Sequence, residues 1–346
     1  MKENIPSRKG RAITVGEIAR LAGVSRSSAS AVLNGKSSVR ESTRAKVLEC
    51  IRRENFQPGI VAKSMVLELS HMVTVLAADP GSPYDMMVFQ GIASVLRRES
   101  YNVLFHVVEH EDWNSPNPFA GLNSVRSAGY IMLGANGGEQ AKQAQRWLDE
   151  GIPLVIIGLS EGLDTHMVTL DYRNAMKAAT DYVIRKGHRR LAHFGGSPQS
   201  LGAREREIGF IEALVEHGIP LSTATIMRLG LSPEAEREAA IELLRDPVRR
   251  PTAVTCFNDM LAINIYQAAR ELSLRIPEDI SVVGFDGTYL AELLGPPLTT
   301  MDIFPKRLGE KSAQMLLKVI RNQAGRGLVK ELSQCQLREG ASVRAL

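Results

Sequence analysis

The chain has 346 residues, 44% apolar and 23% charged, which suits two or three globular domains and excludes a fibrous or disordered polymer. Its three cysteines, Cys50, Cys256 and Cys335, are widely spaced and form no Cys-x-x-Cys pair, so neither a disulfide framework nor a zinc site is expected. The net charge of +4 is unevenly placed: residues 1–70 hold 13 Lys/Arg against 6 Asp/Glu, a balance of +7, and the remainder carries −3. A basic head on a mildly acidic body suits a polyanionic partner, although charge alone fits a solvated basic face equally well.

The first eleven residues are polar and lack the apolar core of a secretory leader, and no run of about 18 apolar residues follows. A cytoplasmic setting without a membrane span is the expectation. Thr14-Val15-Gly16-Glu17 has the form of a capping box, which starts a helix running to about Ala22. Ile18, Ala19 and Ala22 share its inner face, and Gly23 ends it. Ser25 can cap a second helix through Ser30 to Leu33, with Ala29, Val32 and Leu33 inward and Asn34-Gly35 as its stop. A third helix is expected from about Glu41 to Asn55, with Ala45, Leu48 and Ile51 or Arg52 recurring on one face.

Two short helices joined by a Gly-containing turn, with a third behind them, describe a helix-turn-helix. In that geometry the second helix enters the major groove, N-terminal residues first. The residues left outside are Arg26, Ser27, Ser28, Ser30 and Ala31. Arg26 can grip guanine O6 and N7 with two hydrogen bonds, a discrimination of about 1–3 kcal/mol. The serine hydroxyls, with Lys36, Arg40, Arg44 and Lys46, suit phosphate contacts, which orient without reading sequence. A small helical bundle that binds protein fits the same pattern.

The stretch Ile13-Thr14-Val15-Gly16-Glu17-Ile18-Ala19-Arg20-Leu21-Ala22-Gly23-Val24-Ser25, followed by Val32-Leu33-Asn34-Gly35, closely resembles the head of the lactose-repressor (LacI/GalR) family. The resemblance continues, in order, through the whole chain. It implies DNA contacts from Thr14, Ser25, Arg26, Ser27, Ser28, Ser30, Ala31 and Asn34. Arg26, Ser27 and Ala31 occupy the positions that set operator choice, and Ala31 stands where many members carry Arg. It also implies a hinge over 59–71, after a head over 13–58, because Pro58 stops the third helix. A hinge helix in this family inserts an apolar side chain into the minor groove, and Met65 holds that place where Leu is usual. Gly59 stands where Asn is common.

From Met72 the pattern changes to short apolar runs separated by amphipathic stretches. Strands are expected at Val73–Ala78, Asn102–Val107, Gly129–Leu133, Leu154–Ile157, Arg190–Phe194, Ala253–Phe257 and Ile280–Phe285. Helices are expected at Met86–Glu99, Glu139–Glu150, Arg173–Lys186, Arg206–His217, Pro233–Arg245 and Met260–Leu272. This alternation makes the body an α/β fold of doubly wound parallel sheets. No Walker, G-x-G-x-x-G, H-E-x-x-H or G-x-S-x-G motif is present, so no enzyme chemistry and no cofactor or metal is called for. His188 and His193 lie five apart in what looks like a turn into a core strand.

The resemblance implies a two-lobed body similar to periplasmic sugar-binding proteins, with lobe one over 72–171 and 302–326 and lobe two over 172–301 and 327–346. Ligands of such folds meet strand C-termini in the cleft. The residues placed there are Tyr84, Asp85, Asp171, Arg206, Asn258, Asp259 and Asp286. Ser82-Pro83-Tyr84-Asp85 matches a family Asn-Pro-Phe-Phe, with Asp85 replacing the second aromatic. Arg206-Glu207-Ile208-Gly209-Phe210 matches Arg-x-x-Gly-aromatic, and Gly284-Phe285-Asp286 matches Gly-Phe/Tyr-Asp; the residues matching Arg206 and Asp286 contact effector in relatives. Asp171 and Asp259 can equally be helix caps, and Tyr84 a core residue.

The combined expectation is a transcription regulator, a repressor, that binds a pseudo-palindromic operator as a homodimer under control of a carbohydrate effector. No leucine heptad follows the last strand, expected at Leu328–Leu337, which favours a dimer over a tail-assembled tetramer. The rival readings are a solute-binding protein, opposed by the basic head, and an α/β enzyme with a fused regulatory head, opposed by the missing motifs.

Overall fold

A computed structural model describes residues 13–33, 39–54, 71–77, 81–108, 122, 127–135, 138–230, 232–323 and 327–346. The chain divides into two units, Met1–Ser70 and His71–Leu346. Asn34, Met65 and the hinge at 59–70 lie outside the described residues, as do Gly35, Lys36 and Gly59.

The first unit contains α1 (Val15–Leu21), α2 (Arg26–Leu33) and α3 (Glu41–Arg53). Thr14 starts α1 with a complete capping box: its side chain accepts from the Glu17 N–H, and Glu17 accepts from the Thr14 N–H at 2.9 Å. Gly23 takes φ +66° in the turn, a conformation that favours glycine. Ser25 starts α2 by accepting from the Ser28 N–H at 3.1 Å. Ile18, Ala19, Ala29, Val32, Val47 and Cys50 form the core. The inner face of α3 therefore differs from the expected one. Ala45 and Leu48 are exposed, Leu48 by 44%, and the face runs through Val47, Cys50 and half-buried Ile51.

Among the described residues, the second unit is α/β with two six-stranded sheets. The strands of the first are β1 (Met72–Ala77), β2 (Asn102–Val107), β3 (Gly129–Ala135), β4 (Leu154–Ser160), β5 (His166–Thr169) and β11 (Lys330–Leu332), in the order β11-β5-β4-β3-β1-β2, all parallel. The strands of the second are β6 (Leu191–Gly195), β7 (Thr225–Arg228), β8 (Ala253–Cys256), β9 (Ser281–Asp286), β10 (Thr299–Asp302) and β12 (Gln336–Arg338), in the order β12-β10-β9-β8-β6-β7. Only β12 is antiparallel there, pairing Met301 with Leu337. Both sheets repeat the order second-first-third-fourth-fifth, which places a topological switch between β1 and β3 and between β6 and β8, where open α/β sheets receive ligands.

Helices cover both faces: α4 (Pro83–Arg98), α5 (Gly138–Asp149), α6 (Tyr172–Arg185), α7 (Leu201–Glu216), α8 (Pro233–Arg245), α9 (Asp259–Glu271), the short α10 (Leu290–Leu293) and α11 (Pro305–Ile320). The strands read as unbroken apolar runs because both faces are buried. On sheet one, Val73, Val75, Ile131 and Val155 pack under Ile92, Leu308 and Leu316, and Tyr130 stacks on Trp147 at 4.1 Å on the other face. On sheet two, Phe210, Val283 and Phe285 fill one face and Phe194, Val254, Ile265 and Val282 the other.

The chain crosses between lobes after β5, after β10 and between β11 and β12. The last crossing corrects the expected lobe boundary at 327. Residues 330–332 pair with 167–169 of sheet one, and Lys311 on α11 holds Glu331 at 2.8 Å, so lobe two regains the chain only at β12. The single strand expected at Leu328–Leu337 is thus two strands in two sheets. Helix α7 also begins five residues earlier than expected, because Ser200 caps it by accepting from the Ala203 N–H.

Candidate ligand cleft and nucleic-acid interface

A cavity of about 320 Å³ opens between the lobes at both switch points. Four of its lining residues come from the segments just after β1, β6 and β8: Ser82, Ser200, Asn258 and Phe257. Ser82, Ser200 and Asn258 are the N-caps of α4, α7 and α9, each accepting from a backbone N–H three residues on. Three helix N-termini therefore border the cavity. Each carries a partial positive charge of about half a unit.

Arg206 and Asp286 lie at its centre, both buried, with Nη2 and Oδ1 3.7 Å apart. The guanidinium is enclosed by aromatic faces. Its carbon stands 4.1 Å from the Phe285 ring centroid, 4.4 Å from Phe257 and 4.6 Å from Tyr172. Such contacts hold a cation in place where water is excluded. The Arg206 Nε–H finds no acceptor among the described residues. A buried donor left unmade costs about 1–3 kcal/mol and calls for an explanation. Asp286 adds backbone strain, with φ +102° at a non-glycine residue. Burial pushes its carboxyl well above the usual range, opposed by Arg206.

Tyr84 and Tyr172 complete the polar lining from opposite lobes. Burial raises both phenols, so each meets the cavity as a neutral hydroxyl. Tyr84 packs against the cores of both lobes at once, and Glu161 of lobe one meets Arg204 of lobe two at 3.6 Å.

Of the seven residues expected in the cleft, five come together: Tyr84, Asp85, Arg206, Asn258 and Asp286. Two do not. Asp171 is exposed and caps α6, accepting from the Asn174 N–H at 3.0 Å and from its side-chain amide at 2.7 Å. Asp259 is 1% exposed and holds lobe two together, accepting from the Thr288 N–H (2.7 Å), the Thr288 hydroxyl (2.9 Å) and the Thr300 hydroxyl (2.6 Å). The aromatic cage of Tyr172, Phe257 and Phe285 escaped the sequence reading. Its members sit on three separate elements, and the only signal was that each adjoins a residue already singled out.

His188 and His193 are both fully buried. His188 joins Thr252 and the Arg344 carbonyl, and His193 joins Thr255 at 3.1 Å while stacking on Phe210. Burial beside Arg206 lowers His193 to about 3, so it is neutral. Among the described residues, no group of three or more His, Cys, Asp or Glu side chains is placed to hold a metal, and no helix is long and apolar enough to cross a membrane.

In the first unit, Arg26 and Ser27 are exposed at the start of α2. Ser28, Ser30 and Ala31 are half-buried, and the Ser25 hydroxyl lies 2.9 Å from that of Ser27 and 2.8 Å from that of Ser28. Thr14 is exposed at the α1 cap.

Residues 14–59 match the family profile described as bacterial regulatory proteins, lacI family, and residues 180–343 match that of a periplasmic binding protein-like domain. The HTH-type transcriptional repressor PurR of Vibrio vulnificus is 30% identical over 90% of this chain and 92% of its own length. The HTH-type transcriptional regulator DegA of Bacillus subtilis is 28% identical over 86% and 88%. The lac repressor dimer bound to operator and the anti-inducer ONPF shares the fold at a TM-score of 0.83 and 24% identity, over 97% of this chain and 100% of that one. The transcriptional regulator CelR–cellobiose complex does so at 0.70 and 22%, over 95% and 99%. With a helix-turn-helix head, a two-lobed ligand-binding body and this extent of identity, the chain belongs to the lacI family of DNA-binding transcription regulators, which are not enzymes.

Proposed function

We propose that this protein is a repressor that binds a pseudo-palindromic operator as a homodimer, and that a carbohydrate in the interlobe cavity controls it. The observation that carries the effector site is the Arg206–Asp286 pair: a caged guanidinium with an orphaned Nε–H beside a carboxylate held in a strained backbone. Unsatisfied, strained groups in a cleft are what a ligand would relieve. Adjacent hydroxyls of a polyol match a planar donor beside a carboxylate acceptor. The cavity volume lies at the lower end of the usual ligand range of about 300–1,000 Å³, which favours a single sugar ring. Among proteins of similar fold, CelR holds cellobiose and a regulator from Enterococcus faecium holds ribose.

DNA contact is assigned to Arg26 and Ser27, with Thr14, Ser25, Ser28, Ser30, Ala31, Asn34 and Met65 in support. A coupling of about 1–3 kcal/mol per effector would change operator affinity about 5–150-fold. The test is a thermal-shift screen of sugars on the full chain, followed by calorimetry of each hit with wild type and Arg206→Ala and by operator binding with and without the hit. Unchanged sugar affinity in Arg206→Ala would remove the site assignment. Operator affinity insensitive to every bound sugar would remove the control.

A further inference from the structure

We infer that His193 is a positioning residue for Arg206: its Nε2 lone pair accepts the Arg206 Nε–H through one buried water and fixes the angle at which the guanidinium meets a ligand. The inference rests on the reading of Arg206 as an effector contact and adds the group that aims it.

The strand register places His193 beside the aromatic cage. His193 of β6 pairs with Thr255 of β8, and Thr255 with Val283 of β9. Strand residues two apart share a face, so the next row on that face is Gly195, Phe257 and Phe285. Phe257 and Phe285 are two of the rings against the Arg206 guanidinium. The third place in that row has no side chain of its own, and the His193 imidazole leans into it. A Cβ on Gly195 would stand 3.1 Å from His193 Cδ2 and 3.2 Å from His193 Nε2. On α7, Arg206 and Phe210 are one turn apart and share a helix face. Phe210 lies against His193, with ring centroids 5.4 Å apart. Phe210 thus covers the row of His193, and Arg206 covers the row that the Nε2 edge enters.

The two atoms are complementary. Thr255 has one hydroxyl proton, which it donates to the Ala192 carbonyl oxygen at 3.4 Å. Its oxygen therefore accepts from His193 Nδ1–H at 3.1 Å, which sets the tautomer and leaves Nε2 with a lone pair. Burial beside Arg206 keeps the ring from gaining a second proton near neutral pH. Among the described residues, His193 Nε2 and Arg206 Nε are both buried without a hydrogen-bond partner; the first needs a donor and the second an acceptor. A water that accepts from Nε–H and donates to Nε2 satisfies both, which is the usual place of a buried water. Nη2 already faces Asp286, and Nη1 lies 3.1 Å from where a Cβ on Gly202 would be. Holding the third nitrogen fixes the remaining rotation of the guanidinium plane. A histidine that only tied β6 to β8 would use Nδ1 alone.

The experiment follows hydrogen exchange of the Arg206 Nε–H by NMR in the ligand-free full chain with isotope-labelled arginine, the signal being assigned by its loss in Arg206→Lys. His193→Asn keeps a donor for Thr255 at the Nδ1 place and has no acceptor at the Nε2 place; His193→Gln has the reverse. Positioning predicts exchange at least about tenfold faster in His193→Asn and less than about threefold faster in His193→Gln. A tie between β6 and β8 alone predicts the opposite order. His193→Phe keeps the stack on Phe210 and replaces His193→Asn, with the same expected result, should that variant fold poorly. Affinity for ribose and glucose, whichever binds wild type, should fall in the same order. Exchange unmoved by both His193→Asn and His193→Phe, or faster in His193→Gln than in His193→Asn, overturns the inference. So does protection that is lost only in Asp286→Asn, which would give the Nε–H to that carboxylate, or a sugar that needs Arg206 yet binds wild type and His193→Asn equally. Failure of the carbohydrate reading looks different: exchange follows the expected order while neither sugar binds, or sugar binding survives Arg206→Ala.

Discussion

Arg206 and Asp286 form an ion pair inside lobe two whose two halves are fixed by different means. Asp286 follows Phe285 at the end of β9 in a left-handed conformation, and the Phe285 ring is itself the nearest wall of the cage around the Arg206 guanidinium. One strand end therefore supplies both the counter-ion and the aromatic platform. Removing Arg206 strips the platform of its cation and leaves a buried carboxylate without a partner. Breaking a buried pair from one side costs about 3–5 kcal/mol unless the orphan takes up a proton. Arg206→Ala is expected to lose at least about 100-fold in sugar affinity. Its Asp286 carboxyl then rises further, so folding takes up a proton. The variant's deficit relative to wild type is smallest in acid and grows as the pH rises toward neutrality. Chemical denaturation of both proteins between pH 4 and 8 checks this, and parallel profiles would mean that the pair does not exist in solution.

Gly209 explains the spacing of the Arg206-Glu207-Ile208-Gly209-Phe210 motif. A methyl group there would fall on the Arg173 carbonyl oxygen, where α6 and α7 pack. Glycine lets the helices close, which turns Arg206 into the cleft and Phe210 into the core beneath His193. Gly209→Ala is expected to destabilise the body by about 1–3 kcal/mol through overpacking. It should also weaken sugar binding several-fold, although Gly209 does not line the cavity. An alanine variant with unchanged midpoint and affinity would show that the helix spacing is not set here.

How much of this was legible in the sequence depends on how local each cause is. The capping box of Thr14 and Glu17, the apolar strand runs and the glycine-bearing Arg206 motif are all short-range patterns, and the structure places them as expected. The inner face of α3 is ambiguous in the sequence because Ala45 and Leu48 recur with Ile51 at helical spacing just as Val47 and Cys50 do; packing against Ile18 selects Val47 and Cys50 and keeps Ile51. Asp171 and Asp259 carry the right chemistry for a cleft and sit after strands, but a carboxylate at a helix start can turn either to a ligand or to its own backbone. The hydrogen bonds of Asp259 come from Thr288 and Thr300, about thirty and forty residues away, and no local pattern announces them. The β11 pairing is equally remote, since a three-residue strand has too little pattern to name its sheet.

Asp259 gives lobe two a pH signature of its own. Burial raises its carboxyl to about 6, against three hydrogen bonds that lower it. The folded chain therefore binds a proton that the unfolded chain releases between about pH 4 and 6. Its contribution to stability is full below the unfolded value of 3.8 and is lost as the pH rises through 6. The loss is on the order of 2–3 kcal/mol. Asp259→Asn has no such titration, so its stability relative to wild type should improve by about that amount from pH 4 to pH 7. A difference that stays flat across this range would place the Asp259 carboxyl at its ordinary value.

On the proposed function, two residues of the head should separate folding from recognition. Thr14 is a cap: Thr14→Ala removes the hydrogen bond that starts α1 and should lower head stability by about 1 kcal/mol. Arg26 is exposed at the start of α2, outside the core of Ile18, Ala29 and Val47. Arg26→Ala should therefore leave the melting of the head unchanged while weakening the best operator by about 1–3 kcal/mol, with little loss on random DNA at matched salt. Measuring both variants on both DNAs keeps the two roles apart. If Arg26→Ala weakens specific and random DNA equally, Arg26 contacts phosphate, and base reading falls to Ser27 and its neighbours on α2.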